Sequence, residues 1–267
     1  MSTVLLSFVV LWYASLFFQT FFLHRYAAHA MFTMSRTTEK VMYVLTWLFQ
    51  GSNYLSAYGY GVMHRMHHAF ADTEHDPHSP KYSDTMMSMM WDTAIMYNNI
   101  TYDKIDIEPR FRKGVPTWPA FDKFAGGWVS RLSWAALYIW FFAAFATTWW
   151  EWALLPLSLV MAPMHGAIIN WCAHKYGYRN FEVDDTSVNF LPFDFLMMGE
   201  SYHNNHHCHG TRANFGGFRW HEIDPTYQII KILAWAKIIT FRPAVTVKAP
   251  DAEVHAWFGQ FEEAEVA

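Results

Sequence analysis

Fifteen histidines stand in this chain of 267 residues, and eight of them fall into three tight groups. His24 and His29 bracket HRYAAH; His64, His67 and His68 form HRMHH; His203, His206 and His207 form HNNHH. At this chain's histidine frequency an HxxHH pattern would arise by chance about 0.05 times, so two copies mark a built site. Positions i, i+3 and i+4 share one helical face, so each HxxHH is expected to converge three imidazoles on a shared metal region. His24 and His29, five residues apart, stand about 140° from each other around an ideal helix. Either the helix unwinds there or the two serve different metals. Neutral imidazoles without a thiolate suit iron, copper or zinc. Eight of them exceed the needs of one ion and satisfy two, which points to a dinuclear centre able to bind and reduce O2. Removing hydrogen from an unactivated methylene demands such an oxidant.

The elements that position these groups read as membrane helices. The chain is 53% hydrophobic and 19% aromatic with 16% charged residues, a balance suited to lipid contact. Its mean hydropathy of +0.01 also requires a substantial polar or interfacial cap, and its length fits one domain over residues 1–267. A net charge of −4 without a long basic run excludes the electrostatic footprint of a nucleic-acid binder. Cys172 and Cys208 are too few for a disulfide framework or an iron–sulfur cluster.

Residues 4–23 carry no charge and are long enough to cross a bilayer. A cleavable signal is the weaker reading, because no positive segment precedes the run. Residues 41–63 are apolar at first, but Gln50, Gly51, Ser52, Asn53 and Ser56 are costly facing lipid, so the segment is expected to dip in without crossing. Residues 132–148 and 152–171 read as a transmembrane hairpin with Trp149, Trp150 and Trp152 at its turn. Arg25, Arg36 and Lys40 follow the first span, and further Lys and Arg residues flank the hairpin, which puts the amino terminus outside and all three histidine groups on the cytoplasmic side. Asp224-Pro225 is an N-cap and N1 pair opening an amphipathic interfacial helix that reaches Ile239. Residues 249–267 form a polar tail.

The remaining chemistry-bearing residues have plainer readings. His75, His78 and His221 are expected to orient ligands or cap buried backbone. His165 lies inside a crossing helix, where an ionisable residue is either packed or functional. His209, Cys208 and His255 are read as surface residues, the run Met86, Met87, Met89 and Met90 as apolar packing, and Arg110, Arg112 and Lys113 as a solvated face.

The pattern HxxxxH, HxxHH and HxxHH resembles that of the integral-membrane fatty acid desaturases of the Δ9 type, over about residues 15–240. His75-Asp76-Pro77-His78, Gly199-Glu200 and Arg219-Trp220-His221 extend the likeness. The resemblance implies an all-α integral-membrane protein, transmembrane helices under a cytoplasmic helical cap, of a bacterial inner membrane. It further implies that His174, four residues after Asn170 in NWCAHKYGYR, completes a set of nine ligands to two irons, with Asn170 acting through water. The implied activity is O2-dependent insertion of a cis double bond into a long acyl chain. A related hydroxylase or ketolase is the alternative, and a metal carrier that consumes no O2 a third reading. With no heme-binding HPGG stretch in the chain, electrons would come from an external donor such as cytochrome b5 or ferredoxin. Val62-Met63 stand where animal members carry an Arg-Asp pair, so the carrier is open between acyl-CoA, acyl-carrier protein and a lipid-bound acyl chain.

Overall fold

A computed structural model describes residues 2–242; the expected polar tail and His255 lie outside the described residues. Ser2 caps helix α1 (Thr3–Phe18) by accepting a hydrogen bond from the Leu5 amide. The helix then continues as a π-helical segment, Gln19–Ala28, giving 26 residues long and apolar enough to cross a membrane. The span therefore runs five residues beyond the expected 4–23. Its last part is buried because α3 (Ala57–Phe70) packs along it.

The segment expected as one dip over 41–63 is two helices and a break. Helix α2 (Arg36–Gln50), capped by Ser35, ends in a 3-10 turn at Gly51–Asn53, and Ser56 caps α3. Gly51 has φ +56°, and a Cβ there would stand 2.0 Å from the Tyr138 hydroxyl, so the close approach requires glycine. The polar residues that lipid would penalise sit at this break. Gln50 accepts from the Leu55 amide, Asn53 donates to the Ser158 carbonyl, and Arg131 donates to the Ser52 and Tyr54 carbonyls at 2.7 and 3.0 Å. Helix α2 is not among the described helices long and apolar enough to cross a membrane.

Helices α4 (Met86–Thr101), α5 (Pro109–Arg112) and α6 (Pro119–Ala125) lead to α7 (Trp128–Phe145), a second candidate span whose apolar residues are mostly exposed. It begins four residues before the expected 132–148. The expected single helix over 152–171 is corrected. A 3-10 turn (Trp149–Ala153) leads into α8 (Leu154–Leu159), the chain breaks at Val160, and α9 (Met161–Cys172) leaves at 75°. The cause is Pro163, which has no N–H to offer the Leu159 carbonyl four residues earlier. The bent pair counts as a third candidate span if it is one crossing.

Helix α10 (His203–Cys208) and α11 (Pro225–Trp235) complete the helices of the described residues. Asp224 caps α11 through the Tyr227 amide at 3.0 Å, as its sequence foretells. The helix stops short of Ile239, however. The chain turns at Lys237 (φ +58°), and β2 (Ile239–Phe241) pairs antiparallel with β1 (Phe32–Met34), Thr33 opposite Thr240. The all-α expectation thus becomes a mostly helical chain with one two-stranded ribbon. Phe21, Phe22, Phe32, Tyr43, Tyr202, Phe215 and Ile230 form one buried cluster that ties the π segment, the ribbon, α10 and α11 together. Each such large apolar side chain contributes about 1.5–3 kcal/mol by leaving water.

Candidate metal centre

Nine histidines gather into two adjoining groups. His24, His29, His64, His68 and His206 form one; His67, His174, His203 and His207 form the other; within each group one ring nitrogen per residue lies within 4.8 Å of all the others. Each HxxHH is divided two to one, which corrects the expectation of three imidazoles on one region. The i, i+4 pair of α3, His64 and His68, joins the first group while His67 joins the second. In α10 the assignment is reversed, with His203 and His207 in the second group and His206 in the first.

The π segment resolves the spacing of the first pair. The His29 amide donates to the His24 carbonyl at 3.1 Å, an i to i+5 bond that widens the turn, and the two rings stand 5.0 Å apart in the same group. The 140° separation of an ideal helix does not apply.

Carboxylates hold the outer nitrogens. His24 Nδ1 lies 2.6 Å from Glu200, His67 Nδ1 2.9 Å from Asp76 and His207 Nδ1 2.7 Å from Asp185. His174 Nδ1 stands 3.2 Å from the Thr186 hydroxyl and 3.5 Å from Asp72, which itself accepts from Ser79 and Thr186. A carboxylate that accepts a hydrogen bond from the Nδ1–H keeps the proton on that nitrogen and leaves the Nε2 lone pair aimed inward. Sequence reasoning named none of these four carboxylates as a histidine partner, although Asp76 and Glu200 appeared in the flanking motifs. Burial alone would raise the acidities' pKa, but His174 and neighbouring donors hold the Asp72 carboxyl, and His207 the Asp185 carboxyl, well below the usual range. Burial and the crowd of neighbouring imidazoles hold His64 and His206 far below the ordinary histidine value, hence neutral.

The inner nitrogens fit a cation. Nε2 separations are 3.0 Å for His24–His206, 2.9 Å for His29–His64, 3.0 Å for His64–His68, 3.0 Å for His68–His206 and 3.1 Å for His174–His203. Ligands about 2.1 Å from one ion and at right angles stand about 3 Å apart. The Nε2 atoms of His67 and His207 are buried without a hydrogen-bond partner. Lone pairs crowded in this way repel unless a positive charge lies among them, so the donor set suits two metal ions with nitrogen ligands.

The other expected residues fall as follows. Asn170 lines the cavity beside the histidines and is half-buried. His78 is buried against the His67 ring at 4.3 Å, with neither nitrogen hydrogen-bonded, so the expected capping role is not what it performs. His75 is exposed, and His221 Nδ1 meets the Pro192 carbonyl at 2.6 Å. His209, expected at the surface, is half-buried between Phe181 and Phe218. Met89 packs in the interior of α4 while Met87 is exposed. Arg110 and Arg112 pair with Glu108 and Asp103.

Two further features frame the centre. Arg25, fully buried, donates to Glu200 and Asp224 at 2.8 Å each and covers the Phe215 ring, linking the first and third histidine groups. A cavity of about 640 Å³ opens from His24, His64 and His203 and runs between Leu16, Met63 and Leu132. A largely apolar cavity reaching an imidazole cluster can hold a hydrocarbon chain beside the metals.

Comparison with known proteins agrees with this geometry. The chain is 30% identical over 212 residues to the sn-1 stearoyl-lipid 9-desaturase of Synechocystis, covering 79% of this chain and 62% of that protein. It is 25% identical over 189 residues to the enzyme of the same name from Anabaena variabilis, covering 64% of this chain and 59% of that protein. It is 27% identical over 229 residues to the Delta-9 desaturase-like 5 protein of Arabidopsis thaliana, covering 80% and 68%. The chain thus spans about three fifths to two thirds of the length of these relatives. The sequence profile described as "Fatty acid desaturase" matches residues 2–236, and the chain belongs to that family.

Proposed function

We propose that the protein is a membrane-bound, O2-dependent di-iron desaturase that introduces a cis double bond into a long acyl chain, of the Δ9 type. The observation that carries this reading is the division of nine inward-facing histidines into groups of five and four beside an apolar cavity. The ligands would be His24, His29, His64, His68 and His206 for one iron and His67, His174, His203 and His207 for the other, with Asn170 acting through water. When bound, the irons supply the oxidant that takes two hydrogens from adjacent methylenes while O2 is reduced to water.

The chain's own residues do the rest. Asp72, Asp76, Asp185 and Glu200 accept from the Nδ1–H groups of His174, His67, His207 and His24 and fix those four rings. Leu16, Met63, Leu132 and Ile169 exclude water from the acyl chain and hold it against His24, His64 and His203. The electrons come from an external donor, cytochrome b5 or ferredoxin in kind, and the centre faces the cytoplasm with the amino terminus outside. The acyl carrier proposed is a membrane lipid. Its support is twofold: two of the relatives above are named as acting on stearoyl-lipid, and Val62 and Met63, where animal members carry an Arg-Asp pair, are buried in an apolar cluster with Ile100, Ile107 and Phe111.

Expression in a host without desaturase, followed by gas chromatography–mass spectrometry of the membrane lipids, tests the activity. A cis alkene at one position is expected; a hydroxylated chain without an alkene would replace this reading with the hydroxylase one. Asp185→Asn, which removes a charge that orients His207, is expected to weaken metal retention by about ten- to a hundredfold. Metal analysis across a chelator titration measures it, and an unchanged curve would remove Asp185 from the design.

A further inference from the structure

The cavity wall carries polar groups that the metal centre does not use. His165 on α9 is 1% exposed, lines the cavity, and has no hydrogen bond at either ring nitrogen. Gln19 on the facing π segment also lines it, and its buried side-chain oxygen is likewise unpartnered. The two elements are close here, since a Cβ at Gly166 would stand 3.9 Å from Gln19 Nε2. The His165 ring is fixed edge-on to Trp12 at 4.4 Å, and the Trp12 N–H is itself anchored on the Leu196 carbonyl. Buried polar atoms left unpaired are costly, the more so at membrane depth, and a pair of them on a cavity wall implies an occupant that satisfies them.

Position says which part of an occupant they would meet. His165 precedes Asn170 by five residues on α9, about 7.5 Å along the axis, and Gln19 precedes His24 by five on the π segment. An atom bound there lies about a helical turn away from the methylenes held against the histidines.

We propose that His165 and Gln19 form a polar subsite that hydrogen-bonds one oxygen atom, hydroxyl or carbonyl, borne by the substrate chain at a distance from the bond being oxidised. Imidazole and amide offer both donor and acceptor, so either kind of oxygen is accommodated. The inference rests on the desaturase reading for the identity of the chain, but not for the existence of the subsite.

The test is competition binding to the purified, iron-loaded protein, with tritiated stearic acid displaced by stearic acid and by its positional monohydroxy isomers. One isomer, or two neighbouring ones, should bind about five- to tenfold more tightly than stearic acid, the gain of one buried hydrogen bond. His165→Leu should abolish that advantage, and His165→Gln, which keeps a donor and an acceptor, should retain part of it and guards against simple misfolding. A flat series in the native protein, as would follow if water alone fills the subsite, overturns the proposal, and so does an advantage that survives His165→Leu. Failure of the desaturase reading is separately visible as no alkene from stearoyl lipid while the binding series keeps its peak.

Discussion

His67→Ala should lower turnover by more than about a hundredfold and remove about one of two irons per chain, while membrane insertion is unaffected. The reasoning is structural. His67 is one of only four histidines in its group, and its Asp76 partner lies 2.9 Å away on the far side of the ring. The substitution leaves three ligands and a carboxylate with no imidazole to hold. It does not touch the apolar segments Thr3–Ala28 and Trp128–Phe145 that are long enough to span. His206→Ala should loosen the other iron instead, because His206 belongs to the group of five and its removal leaves four ligands there, as many as the second group has in the native protein. Metal analysis of protein extracted from membranes, together with alkene yield, measures both. Equal loss of both irons from either single variant would show that the groups act as one site rather than two.

Arg25→Met should destabilise the protein by about 3–5 kcal/mol, the cost typical of removing one partner from a buried charge network. Arg25 sits between Glu200 and Asp224, 2.8 Å from each, and also donates to the Ala213 carbonyl at 3.0 Å. Burial pushes the Asp224 carboxyl up, with Arg25 as the main opposing charge. In Glu200, burial acts upward too, but His24 and Arg25 prevail and hold the carboxyl below its ordinary value. Methionine leaves both carboxylates buried without the guanidinium. Asp224 also caps α11, and Glu200 holds His24, so the damage reaches a helix start and the first metal group together. Thermal unfolding in detergent should show a clear fall in midpoint and loss of iron from the group of five. A variant with native midpoint and native iron would refute the role assigned to Arg25.

Much of the centre was legible because its rule is local. The i, i+3, i+4 spacing of HRMHH and HNNHH is a statement about one helical face, and α3 and α10 are helices as that spacing requires. What spacing cannot show is how two such faces approach, and so the two-to-one division of each box emerged only from the packed structure. HRYAAH left a choice because an ideal helix separates His24 from His29, and the π segment that brings them together is sustained by tertiary packing against α3. The carboxylate partners were hidden for a related reason. Asp185 is 22 residues from His207 and Glu200 is 176 from His24, separations that no periodicity reports.

The fold was legible in its apolar runs and less so in their interruptions. The first span and α7 follow from continuous apolar sequence, displaced by a few residues at their ends. The break at Val160 is masked by the continuous hydrophobicity of 152–171, although Pro163 carries its signal. Apolar periodicity places Ile239 in a helix, yet its β-branched neighbourhood pairs with Phe32–Met34, some two hundred residues away, a contact decided by the whole fold.

The two-metal division is tested most directly by iron analysis of the native protein purified from iron-replete cells, with His67→Ala alongside. The proposed di-iron reading predicts two irons per chain in the native protein and one in the variant. A single iron in the native protein, or a different metal retained at full occupancy, would contradict it.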